Sequence, residues 1–309
     1  MLGIGFVVLL VAILISFTVW PNAADKSGSV YDPELLTDSH GDPDEVPDSA
    51  YAPSQEELAE QMQDLRQEAL DQAVEEALAE AEVNEDIEIS LAIRDENHTL
   101  THNAGTQHDT ASIIKIEILA MLLDEYDSVE QIPDYELGLA EDMISSSDNA
   151  ATDELLFHFL DGHEALEAAH EEYGLDNTER GSVWGTTQTT VIDQLQMLDV
   201  LLEPGHFEQD QLELARNMLA DLAEEQEWGV STAAADAEHI WMKNGWDTRT
   251  DLNDNWIVNS VGTMKTENGI PTSIAILTSG FSEQEEAIEV IEVLAEEARY
   301  VLTADPRGL

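Results

Sequence analysis

The chain has 309 residues, 43 % of them hydrophobic, and a net charge of −56 from 67 acidic residues against 11 Lys plus Arg. That length admits one large domain or two small ones with a real core. The charge repels nucleic acid and anionic headgroups, so no nucleic-acid partner is expected, and the absence of cysteine excludes disulfides, thiolate metal sites and a cysteine nucleophile.

The acidic residues run from Asp25 to Asp305. They read as a solvated surface adapted to high salt, where screening removes their mutual repulsion. Ile4 to Trp20 is an uncharged apolar run of about 17 residues, close to the lower limit for a bilayer span. Residues 1–21 therefore read as a signal peptide or membrane anchor, with Ala23 and Ala24 offering a cleavage site. The rest of the chain is then expected outside the cytoplasm, either anchored or secreted. Residues 22–53 are rich in Asp, Pro, Ser and Gly and read as an acidic disordered linker.

From Ser54 to Glu82 the pattern predicts a helix. Ser54 and Glu57 form a capping box, and Leu58, Met62, Leu65, Ala69, Ala73, Ala77 and Ala81 recur at helical spacing. Ile87 to Ile93 alternates as a strand, Asp95-Glu96-Asn97 turns, and His98 to Asn103 returns. Thr110 to about Leu222 is mostly helical. Strand patterns resume at His239–Lys243, Trp256–Lys265 and Pro271–Thr278. A last helix, Ser282 to Leu302, is expected to start on a Ser282 cap with Glu285. The predicted class is α+β: an antiparallel five-stranded sheet flanked by N- and C-terminal helices, with an inserted all-helical subdomain. The domain is expected to span 54–303, with 304–309 as a tail.

Only four lysines occur, Lys26, Lys115, Lys243 and Lys265. Lys115 lies three residues after Ser112, at the start of an apolar helix, so the two share a face. A serine there feels the positive end of the helix dipole, and a lysine desolvated among Ile and Leu can titrate low enough to take its proton. Taken alone, this is as well read as an N-cap beside a surface lysine. Ser147-Asp148-Asn149 precedes a second helix, where N-capping is the simpler account. Trp241-Met242-Lys243-Asn244-Gly245-Trp246 reads as a strand ending in a cation, then a turn. That arrangement can offer a charge to a carboxylate and a backbone N–H to an oxyanion.

In this order, Ser-x-x-Lys, Ser-Asp-Asn and Lys-x-Gly resemble the motifs of the class A β-lactamase and penicillin-binding-protein family. The resemblance covers roughly residues 82–302. It implies a serine hydrolase with Ser112 as acylated nucleophile and Lys115 as its proton acceptor or electrostatic activator. Ser147 would pass a proton to the leaving nitrogen, and Lys243 would support Ser147 and a substrate carboxylate. Asn149, Asn244, Gly245 and Trp246 would bind substrate, the backbone N–H groups of Ser112 and Trp246 forming the oxyanion hole. The implied partner is a β-lactam or peptide-like small substrate. No cofactor or metal is implied.

Two departures stand out. Asn244 replaces the family's usual Thr or Ser. No Glu-x-x-Leu-Asn stretch follows the second motif, where the family's deacylating glutamate resides, and Glu179 in that neighbourhood reads as a surface residue. Acylation is expected, with deacylation compromised. The alternative is a non-catalytic cell-envelope binding module retaining the fold. His98, His102, His108, His158, His163, His170, His206 and His239 lack tight metal spacing and read as surface residues. Trp184, Trp228, Trp241, Trp246 and Trp256 read as core or pocket wall.

Overall fold

Helix α1 (Gln55–Glu80) opens the fold of the computed structural model, which describes residues 54–308 apart from 82, 84, 85, 236 and 267–269. The expectations for 1–21 and 22–53 lie outside the described residues. The capping box forms as predicted: Ser54 N–H donates to Glu57 Oε2 (2.6 Å) and Glu57 N–H to Ser54 Oγ (3.1 Å). The phase of the helix differs from the predicted stripe. Arg66, Leu70 and Val74 are its buried residues, while Leu58 and Leu65 stay exposed. The alanine ladder suggested one face, but Leu70 and Val74 bury more apolar area and set the orientation.

Strands β1 (Glu88–Arg94) and β2 (Thr99–His102) form the expected hairpin. At its turn Asp95 Oδ1 accepts from the N–H groups of Asn97 (2.8 Å) and His98 (2.7 Å), a local device typical of Asp. A short strand, β3 (His108–Asp109), leads into a 3₁₀ turn over Ala111–Ile114 and then α2 (Lys115–Asp124). The helical block continues with α3 (Asp134–Ser145), α4 (Asn149–Glu154), α5 (His163–Glu172), α6 (Val191–Leu202) and α7 (Gln209–Ala220). Between α5 and α6, β4 (Gln188–Thr189) pairs with β3 in a small second sheet absent from the sequence expectation.

The remaining strands are β5 (Ala237–Arg249), β6 (Asn255–Thr266) and β7 (Pro271–Phe281), followed by α8 (Gln284–Thr303). The main sheet is five-stranded and antiparallel, in the order β2-β1-β7-β6-β5, the predicted architecture. Both faces are covered. Ile89, Leu91, Ile93, Ile274 and Ile276 pack with Leu70 and Val74 of α1 and Leu294 and Ala298 of α8. Their neighbours Ala92, Ala275 and Leu277 point into the helical subdomain, as period-two alternation requires.

Two boundaries differ from prediction. Glu283, with no side-chain cap bond, precedes α8; Ser282 lies one residue too early and its Oγ instead contacts Glu286 Oε2 (3.4 Å). The predicted tail also makes contacts at its start: Pro306 is buried, and Arg66 Nη2 of α1 donates to the Ala304 carbonyl (3.4 Å). Among the described residues no helix is long and apolar enough to cross a membrane.

Candidate active site

The three motifs meet where the sheet's edge strand β5 faces the helical subdomain. Ser112 sits in the 3₁₀ turn before α2, where residues i and i+3 eclipse, so its spacing to Lys115 puts both on one side of the turn. Ile113 and Ile114 are buried beneath it, while Ser112 is half-buried. Ala111 just before it holds φ +46°, unusual for a residue with a Cβ and of the kind found where surrounding structure enforces a functional geometry. The enforcing contacts are visible. Thr110 N–H donates to the Thr187 carbonyl (2.8 Å), and Asn259 Nδ2 donates to the carbonyls of Asp109 (2.8 Å) and Thr110 (3.1 Å). Gly245 of β5 lies against the turn so closely that a Cβ there would stand 2.7 Å from the backbone nitrogens of both Ser112 and Ile113.

Lys115 is fully buried, and its ammonium donates three bonds: to Ser147 O (2.7 Å), Ser147 Oγ (3.1 Å) and Asn149 Oδ1 (2.8 Å). Lys243, also fully buried, donates to the same Ser147 Oγ (3.2 Å), to Gln226 Oε1 (3.2 Å) and to the Asn244 carbonyl (2.9 Å). Three donors each are thus satisfied, every acceptor being uncharged. Burial pulls the Lys115 amine down to about 8, against the partial opposition of Asp148 and Asp153. Burial, and then the charge of Lys115, push Lys243 well below the ordinary lysine value. Two amines that share one oxygen in a dry site disfavour being charged together.

Ser147, the shared acceptor, holds φ +56°. Asp148 caps α4 by accepting from Ala151 N–H (2.7 Å), so the middle residue of Ser-Asp-Asn does the capping and leaves its neighbours to face Lys115. Among the described residues Ser112 Oγ makes no hydrogen bond of its own; the bonds of Lys115 go to Ser147 and Asn149 rather than to the predicted nucleophile.

The third motif lies in mid-strand, not at a strand end: β5 continues to Arg249, with Lys243 paired to Val261 and Trp246 to Val258. Lys243 and Gly245 therefore face the Ser112 turn, while Asn244 and Trp246 face the other way. Asn244 departs from its predicted role. It is fully buried, donating to the carbonyls of Gln226 (2.9 Å) and Trp228 (3.2 Å) and accepting from Ser260 Oγ (2.7 Å), so its side chain offers nothing to a substrate. The Trp246 ring packs edge-on against Trp228, with centroids 5.9 Å apart, so only its backbone is left for the cleft. As the edge strand of the sheet, β5 leaves alternate N–H groups unpaired.

Several contributing residues went unread in the sequence. Gln226 ties Lys243 to the Ser147 segment by donating to the Ser145 carbonyl (2.9 Å). Asp109 accepts from Gln188 Nε2 and Arg249 Nε, and Arg249 Nη2 donates to the Gly185 carbonyl (2.8 Å), joining the segment before Ser112, the 176–187 loop and β5. That loop delivers an indole to the site: the Trp184 ring lies over Lys115 Nζ (5.1 Å to the centroid), and its Nε1 donates to Asp153 Oδ1 (2.8 Å). Glu179 is exposed, and its backbone pairs with Gln188.

The surface reading of the histidines fails at two positions. His108 is buried between Ser90 Oγ (2.8 Å) and Ser279 Oγ (3.5 Å), and burial lowers it to about 4. His170 is buried beside Glu117 (3.2 Å). Folding also gathers Asp124, Glu172 and His206, with ligand atoms within 4.8 Å of one another, all three exposed; their separation in sequence hid this.

A family model described as "Beta-lactamase enzyme family" matches residues 135–301. Similar solved structures include the TLA-1 extended-spectrum β-lactamase (TM-score 0.67, 17 % identity, covering 77 % of this chain and 99 % of that one). A class A β-lactamase from Bacteroides cellulosilyticus DSM 14838 matches with TM-score 0.66 at 14 % identity, over 78 % of this chain and 99 % of that one. A point mutant of PBP-A, as an acyl-enzyme complex with penicillin G, matches with TM-score 0.62 at 16 % identity, over 75 % of this chain and 97 % of that one. No curated protein matches.

Proposed function

This chain belongs to the β-lactamase enzyme family, and from that premise we propose that it is a serine hydrolase acylated at Ser112, acting on β-lactam or peptidoglycan-type amides outside the cytoplasm, held there by its N-terminal segment or released after its cleavage. The observation that carries this reading is the hydrogen-bonded chain Lys115–Ser147–Lys243, two buried amines on one hydroxyl, beside a half-buried, unengaged Ser112.

In this mechanism a neutral Lys115 amine takes the proton of Ser112 Oγ as that oxygen bonds to the substrate carbonyl carbon. The N–H groups of Ser112 and Trp246 receive the oxyanion. As the C–N bond breaks, the leaving nitrogen takes a proton from Ser147, which is resupplied from the adjoining amines. Asn149 holds the substrate amide, and Lys243 attracts a carboxylate. Water then cleaves the ester, restoring Ser112 and releasing the acid.

The penicillin acyl-enzyme of the PBP-A mutant makes penicillin the first probe. Labelled penicillin and a fluorophosphonate, applied at high salt, are expected to modify Ser112, with the label lost in Ser112→Ala. Asn244's inward turn favours the second reading, a non-catalytic cell-envelope binding module. No label with any acylating probe overturns the hydrolase reading in its favour.

A further inference from the structure

Trp184 stands out as a large aromatic that the chemistry above leaves unused. Three observations fix it over the nucleophile turn. Its ring covers Lys115 Nζ at 5.1 Å. Its indole N–H is tied to Asp153 of α4 (2.8 Å). Its carbonyl accepts from Thr110 Oγ1 (3.4 Å), and a Cβ on the adjacent Gly185 would touch Ala111 Cα at 3.8 Å. The 176–187 loop is clamped there from the other side by Arg249 on the Gly185 carbonyl. An indole offers neither a proton acceptor nor room for an oriented water, unlike a carboxylate.

We propose that Trp184 is a positioning residue, a roof that keeps Lys115 dry for acylation and denies water to the ester formed on Ser112. This rests on the serine-hydrolase reading of the site. The two functions follow from one property. Water excluded from the amine favours its neutral, proton-accepting form, an effect that outweighs the indole face's attraction for the charged form because burial is the largest influence on Lys115, and the same exclusion withholds the nucleophile that would cleave the ester. Hydrolysis needs a water oxygen to bond to the acyl carbon while Ser112 Oγ departs with a proton. Under an intact roof that step is slow and the acyl-enzyme accumulates.

Two measurements on the full-length protein at high salt test this. In the first, acyl-Ser112 formed with labelled penicillin is chased, and its half-life compared between wild type, Trp184→Ala, Trp184→Leu and Trp184→Phe. Opening the roof is expected to shorten the half-life by about tenfold or more in the Ala and Leu variants, while Phe restores it to within about threefold of wild type. In the second, Lys115 titration is followed by NMR of labelled lysine, four residues in all. Burial being the largest influence on Lys115, Trp184→Ala and Trp184→Leu are expected to move its titration upward, and Phe to leave it near the wild-type value. Equal half-lives in all four proteins, or an unmoved titration in both the Ala and Leu variants, overturn the roof. Failure of wild-type Ser112 to label overturns the hydrolase reading instead. The titration needs no acylation, so the two failures are told apart.

Discussion

Lys115 and Lys243 meet on one hydroxyl without a carboxylate partner, which makes protonation the controlling variable at the residue scale. The Lys115 amine, drawn down to about 8 by burial, is charged below that pH and neutral above it. If it accepts the Ser112 proton, the acylation rate rises with pH and levels off above about 8. A rate flat from pH 7 to 9 removes Lys115 as the base. Asp153 stabilises the charged amine, so Asp153→Asn, which keeps the shape and an oxygen for Trp184, is expected to shift the inflection to lower pH. An inflection moved upward contradicts that assignment. Ser147→Ala leaves both amines short of an acceptor, and breaking such a network costs about 1–3 kcal/mol; its melting temperature and acylation rate are both expected to fall.

At the scale of elements, the site exists because β5 runs flush against the Ser112 turn. Gly245 permits that approach: a methyl group there would stand 2.7 Å from two backbone nitrogens and 2.9 Å from the Thr110 carbonyl. Those are backbone atoms, so the strand or the turn must move. Gly245→Ala is expected to lower acylation by about a hundredfold, the scale of a 1 Å misplacement, and to reduce stability by about 1–3 kcal/mol. Gly138 in α3, where an added Cβ would meet nothing within 4 Å, is the control. Gly138→Ala is expected to raise stability by about 0.5–1 kcal/mol with acylation unchanged. Equal acylation in the two variants contradicts the close-approach account. The alternation of β5 also explains Asn244, which a continuous strand turns away from Lys243.

For the whole molecule, the charge of −56 is the dominant long-range term. The Debye length shrinks from about 10 Å at 0.1 M salt to about 3 Å at 1 M, so repulsion among surface carboxylates fades while burial between sheet and helices persists. The melting temperature is expected to climb from low to molar NaCl; a flat or falling trend removes halophilic adaptation as the account of the composition. The site is less sensitive, since its two lysines are buried and screened little.

Hydrophobic period and order of elements are local properties, so the sequence by itself determined the five-stranded α+β architecture and the family resemblance, and it singled out Lys115, Ser147, Asn149 and Lys243, which folding joins by hydrogen bonds. Contacts between distant segments leave no local trace. Only the tertiary structure decided that Leu70 and Val74 rather than the alanine ladder face the core, that Asn244 turns inward, that Gln226 bonds to Lys243 and that Arg249 holds the Gly185 carbonyl. Each of those outcomes depends on which surfaces exclude water when remote elements pack, and that is settled by three-dimensional fit rather than by spacing along the chain.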